Sequence, residues 1–165
     1  EGRWQQELIN AERQLYVIND AYNANPSSMR ASLTSFWEMP SQGKQKVAVL
    51  GHMAELGQHE PRFLSELAEW LVNHQADIQL VLIGEAMRAV EKNLKENDFG
   101  HSESVQWFAN TADAADWLQE HVPQNAVYLL KASREAALEK MIPLLTQSSP
   151  LSSDSIAEPI AEHCS

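Results

Sequence analysis

The residues best equipped for chemistry stand together in Asp20-Ala-Tyr-Asn-Ala-Asn-Pro26. A carboxylate, a phenol and two carboxamides fall within six residues, ahead of a proline. That is far more donor and acceptor capacity than a connection needs. The stretch follows the apolar run Tyr16-Val17-Ile18 and precedes a helical pattern. Strand-to-helix turns of this kind are where α/β proteins place ligand-binding groups. Asn25 is a good N-cap, Pro26 fits the first helical position, and Ser27 and Ser28 suit a first turn. Capping accounts for those four residues. It does not account for Asp20 and Asn23, for which ligand contact is the expectation. A carboxylate at the carboxyl end of a strand suits the hydroxyls of a ribose, from which it accepts two hydrogen bonds.

A second constellation is Lys131-Ala-Ser-Arg134, after the last apolar run and before the last helical pattern. Ser133 can cap that helix. Its hydroxyl, the free N–H groups of a helix start and two cations would together make a carboxylate-binding corner. A capped helix with two solvated cations accounts for the same residues equally well.

Other motifs are ruled out by spacing. A phosphate-cradling P-loop needs Gly-x-x-x-x-Gly-Lys followed by Ser or Thr. Gly43-Lys44 is followed by Gln45, with no glycine five residues before Gly43, and reads as a turn before a strand. There is no Gly-x-Gly-x-x-Gly and no Gly-x-Ser-x-Gly. The six histidines are scattered. His52, Glu55 and His59 match no zinc spacing and read as solvated loop residues. No metal site and no complete catalytic site is expected within this chain.

These groups need elements to hold them. Apolar runs at Leu15–Asn19, Lys46–Leu50, Leu80–Ile83, Val105–Phe108 and Ala126–Leu130 predict strands. Several are too apolar to alternate, as for strands covered on both faces. Helical patterns cover Pro26–Met39, Pro61–Asn73, Glu85–Asn97, Thr111–His121 and Ser133–Leu145. Met29, Leu33, Phe36 and Trp37 line one face of the first, and Phe63, Leu64, Leu67, Trp70 and Leu71 one face of the second. Strands alternating with helices predict an α/β fold: an open, mostly parallel, Rossmann-like sheet with helices on both faces and right-handed crossovers.

With 165 residues the chain suffices for one domain with a substantial core. The expected division is a domain over 1–147 and a flexible polar tail over 148–165, rich in Ser, Pro, Ala and Glu. The net charge of −11 disfavours nucleic acid and anionic membrane as partners. A local anion site remains compatible with it. The single cysteine, Cys164, excludes an intrachain disulfide and fits a reducing cytoplasm. No apolar run reaches transmembrane length, and no signal peptide is evident. The start at Glu1-Gly2-Arg3-Trp4 enters mid-pattern, which predicts an excised domain.

Asp20-Ala-Tyr-Asn-Ala-Asn-Pro-Ser-Ser-Met-Arg-Ala-Ser-Leu33 resembles the carboxy-terminal domain of the Mur ligases. Val47-Ala-Val-Leu-Gly-His-Met-Ala-Glu-Leu-Gly57 and Leu130-Lys-Ala-Ser-Arg134 follow in the family's order. Gly2-Arg3 matches the hinge into that domain, so the likeness runs from Gly2 to about Leu145. The Asn-Ala-Asn-Pro form points to the branch that adds a D-alanyl-D-alanine dipeptide. Two departures stand out. The family usually reads Gly-Asp-Met at Gly51-His52-Met53, and Lys-Gly-Ser-Arg at Lys131-Ala132-Ser133-Arg134. The second adds only a methyl, tolerable where φ is negative.

The resemblance implies the closing domain of an ATP-dependent ligase of peptidoglycan precursor synthesis. There ATP phosphorylates the carboxylate of UDP-N-acetylmuramoyl-tripeptide, and the amine of D-Ala-D-Ala displaces the phosphate. ATP and magnesium would serve the full-length parent, bound largely by amino-terminal and central domains, with nothing bound tightly by this chain alone. Arg3 would reach the nucleotide phosphates on closure, where its planar fork suits phosphate oxygens. Asp20 would lie near the ribose, with Tyr22 and Asn23 as neighbouring nucleotide contacts. Asn25, Lys131, Ser133 and Arg134 would face the substrate, the last three at the dipeptide carboxylate, with Arg134 the better bidentate candidate and Lys131 alternatively serving the phosphoryl group. A non-enzymatic receiver-like signalling module also places an acid after its first strand and a lysine after its last. It needs in addition an acidic pair and a central aspartate, which Asp20 and Gly84-Glu85-Ala86 do not supply. A free-standing dinucleotide-binding domain is disfavoured by the missing glycine fingerprint.

Overall fold

In the computed structural model the described residues are 5–147, save 22–23, 55, 75–76 and 102. Arg3, Tyr22, Asn23, Glu55 and the stretch 148–165 therefore lie outside them.

Among the described residues six strands form one sheet in the order β1-β2-β6-β3-β4-β5. They are β1 (Glu7–Asn10), β2 (Leu15–Asn19), β3 (Gln45–Leu50), β4 (Gln79–Ile83), β5 (Val105–Phe108) and β6 (Ala126–Lys131). Five run parallel, and only β1 pairs antiparallel, along β2. The helices are α1 (Pro26–Glu38), α2 (Glu60–Asn73), α3 (Arg88–Glu96), α4 (Thr111–His121) and α5 (Met141–Thr146). The fold is the open α/β sheet that the alternation of apolar runs predicts.

Period-two alternation inside the buried strands sorts the core onto two faces. Ile18, Ala48, Leu50, Leu80, Leu82, Val127 and Leu129 face one way. There they meet Met29, Leu33 and Phe36 of α1, Leu64, Leu67 and Leu71 of α2, and Val90 and Leu94 of α3. Val17, Val47, Val49, Val81, Tyr128 and Leu130 face the other way, against Ala114 and Leu118 of α4 and Met141 and Leu145 of α5. Tyr128 is fully buried and donates its hydroxyl to the Val122 carbonyl at 3.1 Å. Burial raises its pKa well above the ordinary tyrosine value, with a smaller opposing pull from Arg13.

The connections decide where a ligand can enter. β2 hands the chain to α1 on the first face, and β6 hands it to α5 on the second. Neighbouring parallel strands whose continuations leave by opposite faces open a crevice at their carboxyl ends, the topological switch point. Here that crevice lies between β2 and β6, and again between β6 and β3.

Two expected elements differ. β1 carries too short and polar a pattern to be read as a strand, and its pairing with β2 is what orders it. The predicted helix over 133–145 is broken. Arg134–Ala136 and Leu138–Lys140 are single 3₁₀ turns, and α5 begins only at Met141. Ala137 between them has φ +49°, a left-handed conformation that interrupts the helical ladder.

Candidate functional site at the carboxyl ends of three strands

The carboxyl end of the sheet joins three segments through backbone hydrogen bonds. The N–H of Asp20 donates to the Leu130 carbonyl at 3.0 Å, Gly51 to Lys131 at 3.0 Å, and Ser133 to His52 at 2.8 Å. The turns after β2, β3 and β6 are thereby extensions of the ladder rather than independent loops.

Asp20 and Lys131, assigned above to different ligands, are one unit. Lys131 Nζ lies 3.1 Å from Asp20 Oδ2, and the same oxygen accepts from the Ser32 hydroxyl at 2.5 Å. The lysine side chain is 3% exposed and the aspartate 20%. A cation that deep is tolerable only with a charged partner. Lys131 is thus no solvated cation. Asp20 also has a structural duty beside any ribose contact.

Ser133 does not cap a helix. It precedes a single 3₁₀ turn and makes no side-chain cap. The expected helix start, with its row of free N–H donors, is absent because Ala137 breaks the ladder after three residues. Instead the Ser133 hydroxyl is buried without a hydrogen-bond partner among the described residues. A buried, unpaired hydroxyl costs about 1–3 kcal/mol, a penalty that an incoming acceptor would relieve. Arg134, next to it, is exposed.

Asn25 behaves as a cap. Its Oδ1 accepts from the Ser28 N–H at 2.9 Å, and the Ser28 hydroxyl accepts from the Asn25 N–H at 3.0 Å. Pro26 opens α1. The capping oxygen is committed, so only the Asn25 amide NH₂ is left to face a substrate.

The structure places both departures from the family pattern. Ala132 is fully buried and, unlike Ala137, keeps a negative φ. Its methyl lies 3.0 Å from where a Cβ on Gly51 would stand. The absent side chain of Gly51 is what makes room for it. His52 points its ring toward Glu60, with Nδ1 3.8 Å from Oε2.

Three contributors escaped the sequence reading. Ser32 left a signal, being a polar residue on the apolar stripe between Met29 and Phe36. Asn19 folds the turn after β2 by accepting from the Ala21 N–H at 3.2 Å, an Asx turn visible only with the backbone in hand. Glu60 lies eight residues beyond His52, across an irregular connection, and no spacing rule pairs them. Among the described residues no group of three or more His, Cys, Asp or Glu could hold a metal ion. These residues do not fit a magnesium site. No helix among them is long and apolar enough to cross a membrane.

A buried Asp–Lys pair stands at the switch point of a Rossmann-like domain, with a buried hydroxyl two residues along the chain that has no hydrogen-bond partner among the described residues. Residues 2–134 match the family described as Mur ligase, glutamate ligase domain, and the chain belongs to it. Particular relatives narrow the branch. The chain is 32% identical over 146 residues to the UDP-N-acetylmuramoyl-tripeptide–D-alanyl-D-alanine ligase of Bacillus subtilis (strain 168), covering 88% of this chain and 31% of that protein. It is 32% identical over 146 residues to the ligase of the same name from Escherichia coli (strain K12), covering 83% and 28%. A crystal structure of MurF from Acinetobacter baumannii superposes with a TM-score of 0.69 at 27% identity, over 90% of this chain and 31% of that one. MurF from Thermotoga maritima in complex with ADP shares the fold, with a TM-score of 0.62 at 24% identity. The chain spans about a third of the length of the relatives it matches.

Proposed function

We propose that residues 1–147 are the carboxy-terminal domain of an ATP-dependent ligase that joins D-alanyl-D-alanine to UDP-N-acetylmuramoyl-tripeptide in peptidoglycan precursor synthesis, with 148–165 a polar extension. The names and coverage of the relatives support the class. The observation that carries the role of this domain is the Ser133 hydroxyl, buried without a hydrogen-bond partner among the described residues and two positions after the lysine of the Asp20–Lys131 pair. In this reading Ser133 and Arg134 receive the free carboxylate of the dipeptide, with the Asn25 amide beside them. Lys131, paired with Asp20, fixes the position of the turn that carries them. Arg3, Tyr22 and Asn23, with the remaining face of Asp20, meet the nucleotide when the domain closes on its amino-terminal and central neighbours. Magnesium belongs to those neighbours, and the reaction to the cytoplasm, where its nucleotide substrates are.

A free dipeptide must be anchored at its far end so that its amine meets the activated carbonyl. Arg134 is the bidentate candidate for that anchor. Steady-state kinetics of the full-length parent test it, with phosphate release followed as each substrate is varied. Arg134→Ala is expected to raise the dipeptide KM by about tenfold or more and leave the ATP KM nearly unchanged. An ATP term that moves while the dipeptide term stays would transfer this turn to the nucleotide. A parent that releases no phosphate with all three substrates present would overturn the ligase reading.

A further inference from the structure

We propose that His52, backed by Glu60, is the proton acceptor for the incoming amine, an inference that rests on the ligase reading above. His52 directly continues β3 beyond Gly51. Its carbonyl accepts the Ser133 N–H at 2.8 Å, so its backbone is fixed beside the turn that receives the dipeptide. The His52 side chain is 40% exposed. Glu60 Oε2 stands 3.8 Å from Nδ1, too far for a hydrogen bond and near enough to pair with the ring once it carries a proton. A part-exposed imidazole with a carboxylate near one nitrogen is equipped to serve as a general base through the other.

The chemistry requires such a group. The dipeptide arrives as an ammonium and is nucleophilic only after losing a proton. That proton passes to the imidazole Nε2, and the ring becomes an imidazolium facing Glu60. The freed lone pair forms the C–N bond at the acyl phosphate carbon. The C–O bond to phosphorus's oxygen breaks, phosphate leaves with the electron pair, and it takes the second amine proton. The departure from the family pattern then has a chemical meaning. Aspartate and neutral imidazole share the ability to accept a proton, and Glu60 keeps a carboxylate 3.8 Å from the ring that replaces the family's aspartate.

The full-length parent carrying His52→Gln, His52→Asp or Glu60→Gln tests this with two nucleophiles. One is D-Ala-D-Ala. The other is hydroxylamine, which is largely unprotonated at neutral pH and traps acyl phosphates as hydroxamates. His52→Gln should lower kcat with the dipeptide by about 10²-fold while its KM changes little, and hydroxamate formation should stay at the wild-type rate. His52→Asp should recover most of the lost rate. Glu60→Gln should cost less than His52→Gln, and nothing further in the His52→Asp background. Unchanged melting of the 165-residue chain with His52→Gln separates the effect from misfolding. A His52→Gln parent ligating at the wild-type rate overturns the inference. So does a hydroxamate rate that falls in step with ligation, which would place His52 in ATP use or closure. A wild-type parent that makes neither product would instead overturn the ligase reading, and this inference with it.

Discussion

Replacing Asp20 by asparagine isolates the charge that holds Lys131 in place. The carboxamide keeps the size and can still accept from Ser32. What it removes is the negative charge 3.1 Å from an ammonium whose side chain is 3% exposed. Breaking a buried pair from one side costs about 3–5 kcal/mol, because the surviving ion stays desolvated. Asp20 is 20% exposed, so water already screens part of the attraction and the lower end, about 3 kcal/mol, is expected. For a domain of this size that corresponds to a fall in Tm of roughly 6–12 °C. The reverse change, Lys131→Met, should cost less, about 1–2 kcal/mol, because the aspartate left behind keeps its Ser32 bond and can be rehydrated. Urea unfolding of the 165-residue chain, followed by circular dichroism, measures both. The informative quantity is the order of the two losses. If Lys131→Met is the more damaging, or if Asp20→Asn costs under about 1 kcal/mol, the buried cation does not depend on this carboxylate and the reasoning from burial fails.

Tyr128→Phe should cost about 1 kcal/mol at neutral pH through the lost bond to Val122, and less as pH rises. Burial raises the native tyrosine pKa. Above about pH 10 the unfolded chain therefore releases a proton that the native chain keeps, and wild-type stability falls by up to about 1.4 kcal/mol per pH unit. Denaturant midpoints of the two proteins between pH 8 and pH 11 (bounds set by the ordinary tyrosine value of about 10) should converge and then cross. Parallel curves would show that Tyr128 titrates alike in both states. Ala137→Gly should stabilise by about 0.5–1 kcal/mol, since φ +49° strains any residue with a Cβ. A lower melting temperature in that variant would mean the alanine methyl packs better than its backbone suffers.

The parallel sheet was legible because its physics is local. Val47-Ala-Val-Leu50 and Ala126-Val-Tyr-Leu-Leu130 are apolar at every position, which only a strand covered on both faces explains. The Asn25 cap and Pro26 likewise wrote the start of α1 into the sequence, and the structure adds the reciprocal Ser28 bond. The sequence also named Asp20, Lys131 and Ser133 as unusual, since polar groups at strand ends exceed what turns require.

Their relations were decided elsewhere. Asp20 and Lys131 are far apart in the chain and become neighbours only because β6 inserts between β2 and β3. Strand order follows from which helices leave by which face, a global choice that no window of residues contains. The break at Ala137 interrupts the helix expected over 133–145, where local propensity alone did not decide the backbone. With that left-handed residue in place Ser133 is not the predicted cap but a buried hydroxyl without a hydrogen-bond partner among the described residues. The sequence by itself determined the α/β class and which residue types stand at the strand ends, because periodicity and capping act over a few residues. Only the tertiary structure decided that three of those ends meet, that Lys131 is neutralised within the protein, and that Glu60 stands behind His52, because burial and charge pairing depend on distances that chain separation does not encode.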